Sequence, residues 1–203
     1  MAQMIRLKQK GLLRTGPKAK WMPFEAIQCY TINRPQFVWI AKVTMVPFVY
    51  LFGLDKLMNG HGSMVIKFLA LFNVVKSRSD VFTDSSSMLR YLAEMMWFPS
   101  SFLSSRINFN EINATSVKVI MEYGGITVCG ILKFNEQAEI VSFEADRYMI
   151  EHKNYKLVKW LITVEDYKLY DGIKIPYKCT VTWKLPEGDF EWLRVNIIDV
   201  GSS

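Results

Sequence analysis

The sequence predicts a mainly β protein (α+β): a single curved antiparallel sheet or half-barrel of about 10–11 strands packed on one central helix. Three observations carry this expectation. Short runs rich in β-branched and aromatic residues alternate between apolar and polar positions, punctuated by glycine, asparagine and proline. One stretch, residues about 85–98, repeats its apolar residues at helical spacing. Half of the 203 residues are apolar and 14% are aromatic, enough to fill a sizeable core and contrary to the composition of disorder.

The chain begins with a loosely alternating run, Met4–Arg14, ended by Thr15-Gly16-Pro17, and reads as an edge strand. In Trp21–Ile32, the residues Phe24, Ala26, Gln28, Tyr30 and Ile32 share one face. Gln36–Met45 is the next strand, and Phe48–Leu57 returns from a hairpin near Pro47. The glycines of Asn59-Gly60-His61-Gly62 suit a tight turn into Ser63–Phe72. The helix follows. Asp84 or Ser85 is the expected cap, Met88, Leu92, Met95 and Met96 form its apolar face, and Pro99 stops it. Arg90 and Glu94 stand four apart and can pair. Beyond it, Arg106–Ile112, Thr115–Tyr123, Ile126–Lys133, Ala138–Ile150, Ile173–Leu185 and Phe190–Val200 read as strands, with Gly124-Gly125 and Asp171-Gly172 as hairpin turns. Tyr155–Tyr170 reads as part loop and part strand. No repeat or linker divides residues 1–203, so one domain is expected, its helix inserted between two antiparallel strand runs.

The net charge of +6 is mild, and the basic residues form no long run, so no nucleic-acid partner is expected. Cys29, Cys129 and Cys179 are odd in number and far apart, and only His61 and His152 are present, which disfavours a structural metal site. No nucleophile arrangement stands out and no cofactor is expected: GxSxG, GxGxxG, the Walker loop and HExxH are all missing. No basic leader followed by an apolar stretch is visible, as would also be true of a piece of a longer product. The longest uncharged run, Val43–Leu54, is interrupted by Pro47 and far short of the roughly 20 residues a spanning helix needs. A cytoplasmic location is expected, with Met45–Leu54 as a greasy hairpin suited to self-association or a peripheral membrane contact.

Several motifs resemble, in order and spacing, a family of uncharacterised bacterial and archaeal proteins catalogued as a domain of unknown function. They are Trp21–Gln28, Phe37–Ala41, Gly60–Met64, Arg90–Glu94 with Trp97-Phe98-Pro99, Ala145–Tyr148, Gly172–Pro176 and Trp183–Asp189. Arg34-Pro35 stands where that family usually shows two prolines, and Gly53-Leu54-Asp55 where a charged residue is expected before the aspartate. The resemblance implies homology over nearly the whole chain and no particular activity. The strand–helix–strand order also looks like the half-barrel of lipoprotein carriers, a likeness of fold only.

The sharpest chemistry is polar groups in apolar settings. Arg90, Glu94, Arg147, Gln28 and Lys67 all interrupt apolar patterns, and Asp146 neighbours Arg147. If they converge inside the half-barrel, each buried charge must be paired. The leading expectation is a non-catalytic binding module holding an apolar or amphipathic, lipid-like molecule between concave sheet and helix. Arg90, Glu94, Arg147 and Gln28 would form its polar end, and Trp97 and Leu92 its apolar lining. Two alternatives stand beside it: a small-substrate enzyme using Glu94 with Arg90 or Arg147, or with Asp146 as a second carboxylate, and a structural or partner-binding domain with a filled core. His61 between glycines could present an imidazole.

Overall fold

In the computed structural model, which describes residues 4–70, 72–151 and 154–202, thirteen strands form one antiparallel sheet. His152 lies outside the described residues. The first run is β1 (Met4–Leu13), β2 (Met22–Thr31), β3 (Gln36–Val46), β4 (Val49–Met58), β5 (His61–Phe68) and β6 (Phe72–Ser77). The helix α1 (Val81–Glu94) follows, extended by 3-10 turns over Met95–Trp97 and Pro99–Leu103. The second run is β7 (Ile107–Asn113), β8 (Ser116–Tyr123), β9 (Ile126–Phe134), β10 (Ile140–Glu151), β11 (Asn154–Tyr170), β12 (Ile173–Leu185) and β13 (Gly188–Ser202).

The spatial order is β6-β5-β4-β3-β2-β1-β13-β12-β11-β10-β9-β8-β7. Every neighbour is a sequence neighbour except β1 and β13, which join the two runs in mid-sheet, so the first strand is not the expected edge strand but is paired on both sides. The sheet is open, and the chain must cross from its β6 edge to its β7 edge. That crossing is α1, which packs on β4 and β5 of one wing and on β9 and β10 of the other. The expected helix-on-curved-sheet architecture is therefore present, with the helix lying in the trough.

Thirteen strands exceed the expected count for two physical reasons. The chain after Phe68 reverses through Leu69 (φ 48°) and Ala70 (φ 61°), residues that do not signal a turn, so β6 was not separable from β5 by sequence. Residues 155–170, expected to be part loop and part strand, lie in the continuous strand β11, which absorbs its irregularity as register shifts near Asp166. By contrast, Asn59-Gly60, Gly124-Gly125 and Asp171-Gly172 all adopt the positive φ of two-residue hairpin turns.

The helix starts earlier than expected. Asp80, not Asp84 or Ser85, is its cap, accepting from Thr83 N–H at 2.7 Å. Asp84 instead sits in the first turn, where its Oδ1 accepts from the Gly62 N–H at 2.7 Å. A side chain at Gly62 would collide with Ser87 Oγ and approach the Thr83 carbonyl at 2.8 Å, so glycine is what lets β5 come this close to α1. Met88, Leu92, Met95 and Met96 are buried in one continuous core with inward residues of the sheet such as Leu7, Phe143, Val119 and Met121.

Candidate functional site

The inward positions of β1 to β4 carry three polar residues among apolar ones: Gln9 beyond Leu7, Gln28 between Ala26 and Tyr30, and Asp55 between Gly53 and Leu57. Register aligns Gln28 with Trp39 and Trp39 with Asp55, so these side chains form a row across three strands. The helix supplies Arg90 and Glu94 from above. Arg90 Nη1 donates to Asp55 Oδ2 at 2.6 Å and Nε to Glu94 Oε1 at 2.8 Å. Glu94 Oε2 accepts from Gln28 Nε2 at 2.8 Å and from the Tyr30 hydroxyl at 3.0 Å. Gln28 Oε1 accepts from Gln9 Nε2 at 3.0 Å, and Gln9 Oε1 accepts from Trp39 Nε1 at 2.9 Å. The Arg90 guanidinium also lies against Phe37 and Trp39, 4.9 and 5.2 Å from their ring centres.

Asp55 and Glu94 are nearly removed from water, at 5% and 7% side-chain exposure, which low-dielectric burial permits only with close partners. Burial alone would pull Arg90 down, but Glu94 and Asp55 overcome it and hold the guanidinium above its ordinary value. Burial, then the Glu94 carboxylate, pushes the Tyr30 hydroxyl far above its usual range, so it remains a donor. The network is closed: each Glu94 oxygen already accepts a hydrogen bond, and Arg90 is held by two carboxylates.

Arg147 is different. It reaches the trough from β10, half-buried, with its guanidinium over Trp160 at 4.6 Å and 5.9 Å from the Trp183 ring. Its Nε donates to the Ser86 carbonyl at 3.3 Å, and its two terminal nitrogens have no hydrogen-bond or carboxylate partner among the described residues. The indole N–H of Trp160 is buried and likewise without an acceptor. Burial, reinforced by repulsion from Arg90, lowers Arg147 to about 10, with Asp55 and Glu94 opposing. Two arginines thus balance two carboxylates overall, but only Arg90 touches them.

Of the expected apolar lining, Leu92 is fully buried and Trp97 nearly so. The Trp97 indole N–H finds no conventional acceptor and faces the buried Cys179 thiol, which burial pushes up to about 12. A cavity under the helix's C-terminal end, between Tyr91, Met95, Ile107 and Met121, has about 10 Å³, space for one water.

Two expected members are elsewhere. Lys67 is exposed on the convex face, because Met64 and Ile66 take the other side of β5. Asp146 points outward, beside Arg147 on an alternating strand, and meets Lys159 at 3.7 Å. It cannot form a carboxylate pair with Glu94. His61 is exposed, and its Nδ1 faces both Ser79 Oγ at 2.9 Å and Asp84 Oδ2 at 3.3 Å. A base relay would need carboxylate and hydroxyl on opposite ring nitrogens, so this group ties the β4–β5 hairpin to α1 instead. The sequence reading missed Gln9, Asp55 and Tyr30 as partners. Their signal was a polar group on a face otherwise apolar, clear for Gln9 and Asp55 only once the inner face is known.

A family model described as a family of unknown function (DUF6544) matches residues 1–195. The chain belongs to that family. No protein of curated function matches the sequence. Among solved structures, this DUF6544 chain is similar to a putative outer membrane lipoprotein-sorting protein domain from Vibrio parahaemolyticus. The TM-score is 0.54 at 13% identity, covering 98% of this chain and 85% of that one. It is also similar to a DUF1329 family protein from Desulfovibrio piger, with TM-score 0.51 and 11% identity over 100% and 87% of the two chains. A LolA superfamily protein from Nitrosomonas europaea gives 0.51 and 9% over 98% and 84%. At these identities the likeness is one of fold, and it establishes that the DUF6544 chain has the lipoprotein-carrier type of curved sheet.

Proposed function

We propose that the protein is a non-catalytic module that binds an amphipathic small molecule with an anionic head between α1 and the concave sheet. The observation that supports this is Arg147, an inward guanidinium with unpartnered terminal nitrogens lying on Trp160, whose own buried N–H has no acceptor. A carboxylate or phosphate would accept from the two terminal nitrogens of Arg147. Arg90 is saturated by Asp55 and Glu94, so in this reading it and Gln28 shape the site and Arg147 holds the head. The tail would lie along Met88, Leu92 and Met95, where flexible methionines can repack around a guest. A fold shared with a domain described as lipoprotein-sorting is in keeping with an apolar cargo. The fully buried Leu92 favours the other reading, a partner-binding or structural domain with a filled core.

The test is Arg147→Met, read by displacement of a fluorescent fatty acid and by melting. Because Arg147 lies below its unfolded value, its charge costs the fold stability at neutral pH, a cost relieved only as pH rises from about 10 toward the unfolded value. Removing it should leave stability unchanged or raise it by about 1 kcal/mol, after loss of the aromatic contact, while binding falls at least tenfold. Unchanged binding, or destabilisation by about 3 kcal/mol as for a broken buried pair, would show Arg147 to be a structural counter-ion.

A further inference from the structure

The β3–β4 and β5–β6 hairpins end side by side on one wing of the sheet. Leu51 pairs with Phe68, and the Leu69 N–H donates to the Tyr50 carbonyl at 2.9 Å, which locks the two tips together. The tips expose Met45 (45%), Val46 (56%), Phe48 (85%), Leu69 (40%), Phe72 (67%) and Val74 (61%). Large side chains at this density and exposure are uncommon on a solvated surface. Their backbone is also unusual. Phe48 (φ 66°) and Leu69 (φ 48°) adopt the left-handed region that bulky residues avoid. Such strain in a hairpin tip costs stability and gains nothing from the core, since Phe48 touches mainly solvent.

The charge of the two hairpins is basic, and the one acidic neighbour in the lysine row, Glu25 on β2 opposite Lys42, is paired with Lys10 at 3.1 Å. Between residues 36 and 77, Asp55 is the sole acidic residue in the sequence, and it is buried against Arg90. Lys42, Lys56, Lys67 and Lys76 are all exposed on the same wing. Register places Lys42 and Lys67 on either side of Phe52 in one cross-strand row, directly behind the tips. Lys42 lies 3.8 Å from the Tyr50 ring centre, its stem along the aromatic face. Apolar residues at the front and lysines behind match the layering of a bilayer surface, acyl region first and anionic headgroups next.

We infer that this wing docks on an anionic lipid bilayer, with the two hairpin tips inserted shallowly and the lysines in the headgroup layer. The charge pattern selects lipid over a second copy of this chain, whose matching wing would bring lysines against lysines. The docking surface is separate from Arg147 and does not depend on the ligand reading above.

The probes are vesicles of phosphatidylcholine alone and of phosphatidylcholine mixed with phosphatidylserine, read by flotation. The wild-type chain should float with the mixed vesicles, sink with phosphatidylcholine alone, and lose binding as salt rises. Replacing Lys42 and Lys67 by Gln should weaken binding by about fivefold per lysine. Phe48→Gly is the decisive variant. Glycine relieves the left-handed backbone, so its melting temperature should equal or exceed wild type while flotation falls by at least tenfold. Arg147→Met should float as the wild type does. Failure of the wild type to float, or equal flotation of Phe48→Gly, would overturn the inference. So would a wild-type dimer in sedimentation that Phe48→Gly converts to monomer, since the patch would then join two copies.

Discussion

Glu94→Ala perturbs the polar network at its most connected atom pair. Three donors lose their acceptor together: Arg90 Nε, Gln28 Nε2 and the Tyr30 hydroxyl. Arg90 keeps Asp55, so it is not stranded outright. Gln28 and Tyr30 are fully buried or nearly so and cannot turn to water. Breaking a buried pair by removing one partner costs about 3–5 kcal/mol, and each stranded neutral donor about 1–3 kcal/mol. The three losses share one cavity and are not additive, so about 4–5 kcal/mol is expected in all. For a chain of this size that corresponds to a fall in Tm of roughly 8–20 °C. The assay is thermal and urea denaturation of wild type, Glu94→Ala, Arg90→Ala and the double variant. The double variant should cost less than the sum of the singles, because the Arg90–Glu94 pair is then lost only once, although Asp55 stays buried without its guanidinium in both Arg90→Ala and the double variant. A Glu94→Ala protein within about 1 kcal/mol of wild type would mean that water replaces the carboxylate, and the network would not be the closed, dry unit described.

Leu92→Trp should destabilise by roughly 1–3 kcal/mol through overpacking, because Leu92 is fully buried; a stable Leu92→Trp that no longer binds a fluorescent fatty acid would instead reveal space that a guest normally fills. Asp84→Ala removes the acceptor of Gly62 N–H and Ser79 Oγ and frees the β4–β5 hairpin from the first turn of α1. It should cost about 2 kcal/mol and speed amide exchange at Gly62, whereas unchanged exchange there would show that the contact is not what holds the hairpin down.

Much of the fold was legible because it is written within short segments. Asn59-Gly60 and Asp171-Gly172 name their own turns, since few other residues tolerate two successive positive φ values. The four-residue spacing of Arg90 and Glu94 places them one turn apart on any helix, whereas the expected stop at Pro99 is not where α1 ends: the helix closes at Glu94, and Pro99 opens the second 3-10 turn. Alternation likewise told that Arg147 and Asp146 lie on opposite faces, but not which face is inner. Tertiary structure alone decided that Arg147 enters the trough and Asp146 leaves it, and that Lys67 faces out. It decided too that Arg90 meets Asp55, 35 residues away, and that Glu94 meets Gln28, 66 residues away. The reason is that periodicity is a property of one strand or helix, whereas burial is a property of the sheet. An inner face exists only once β1 has paired with β13 and the chain has been forced to carry α1 through the trough, from one open edge to the other.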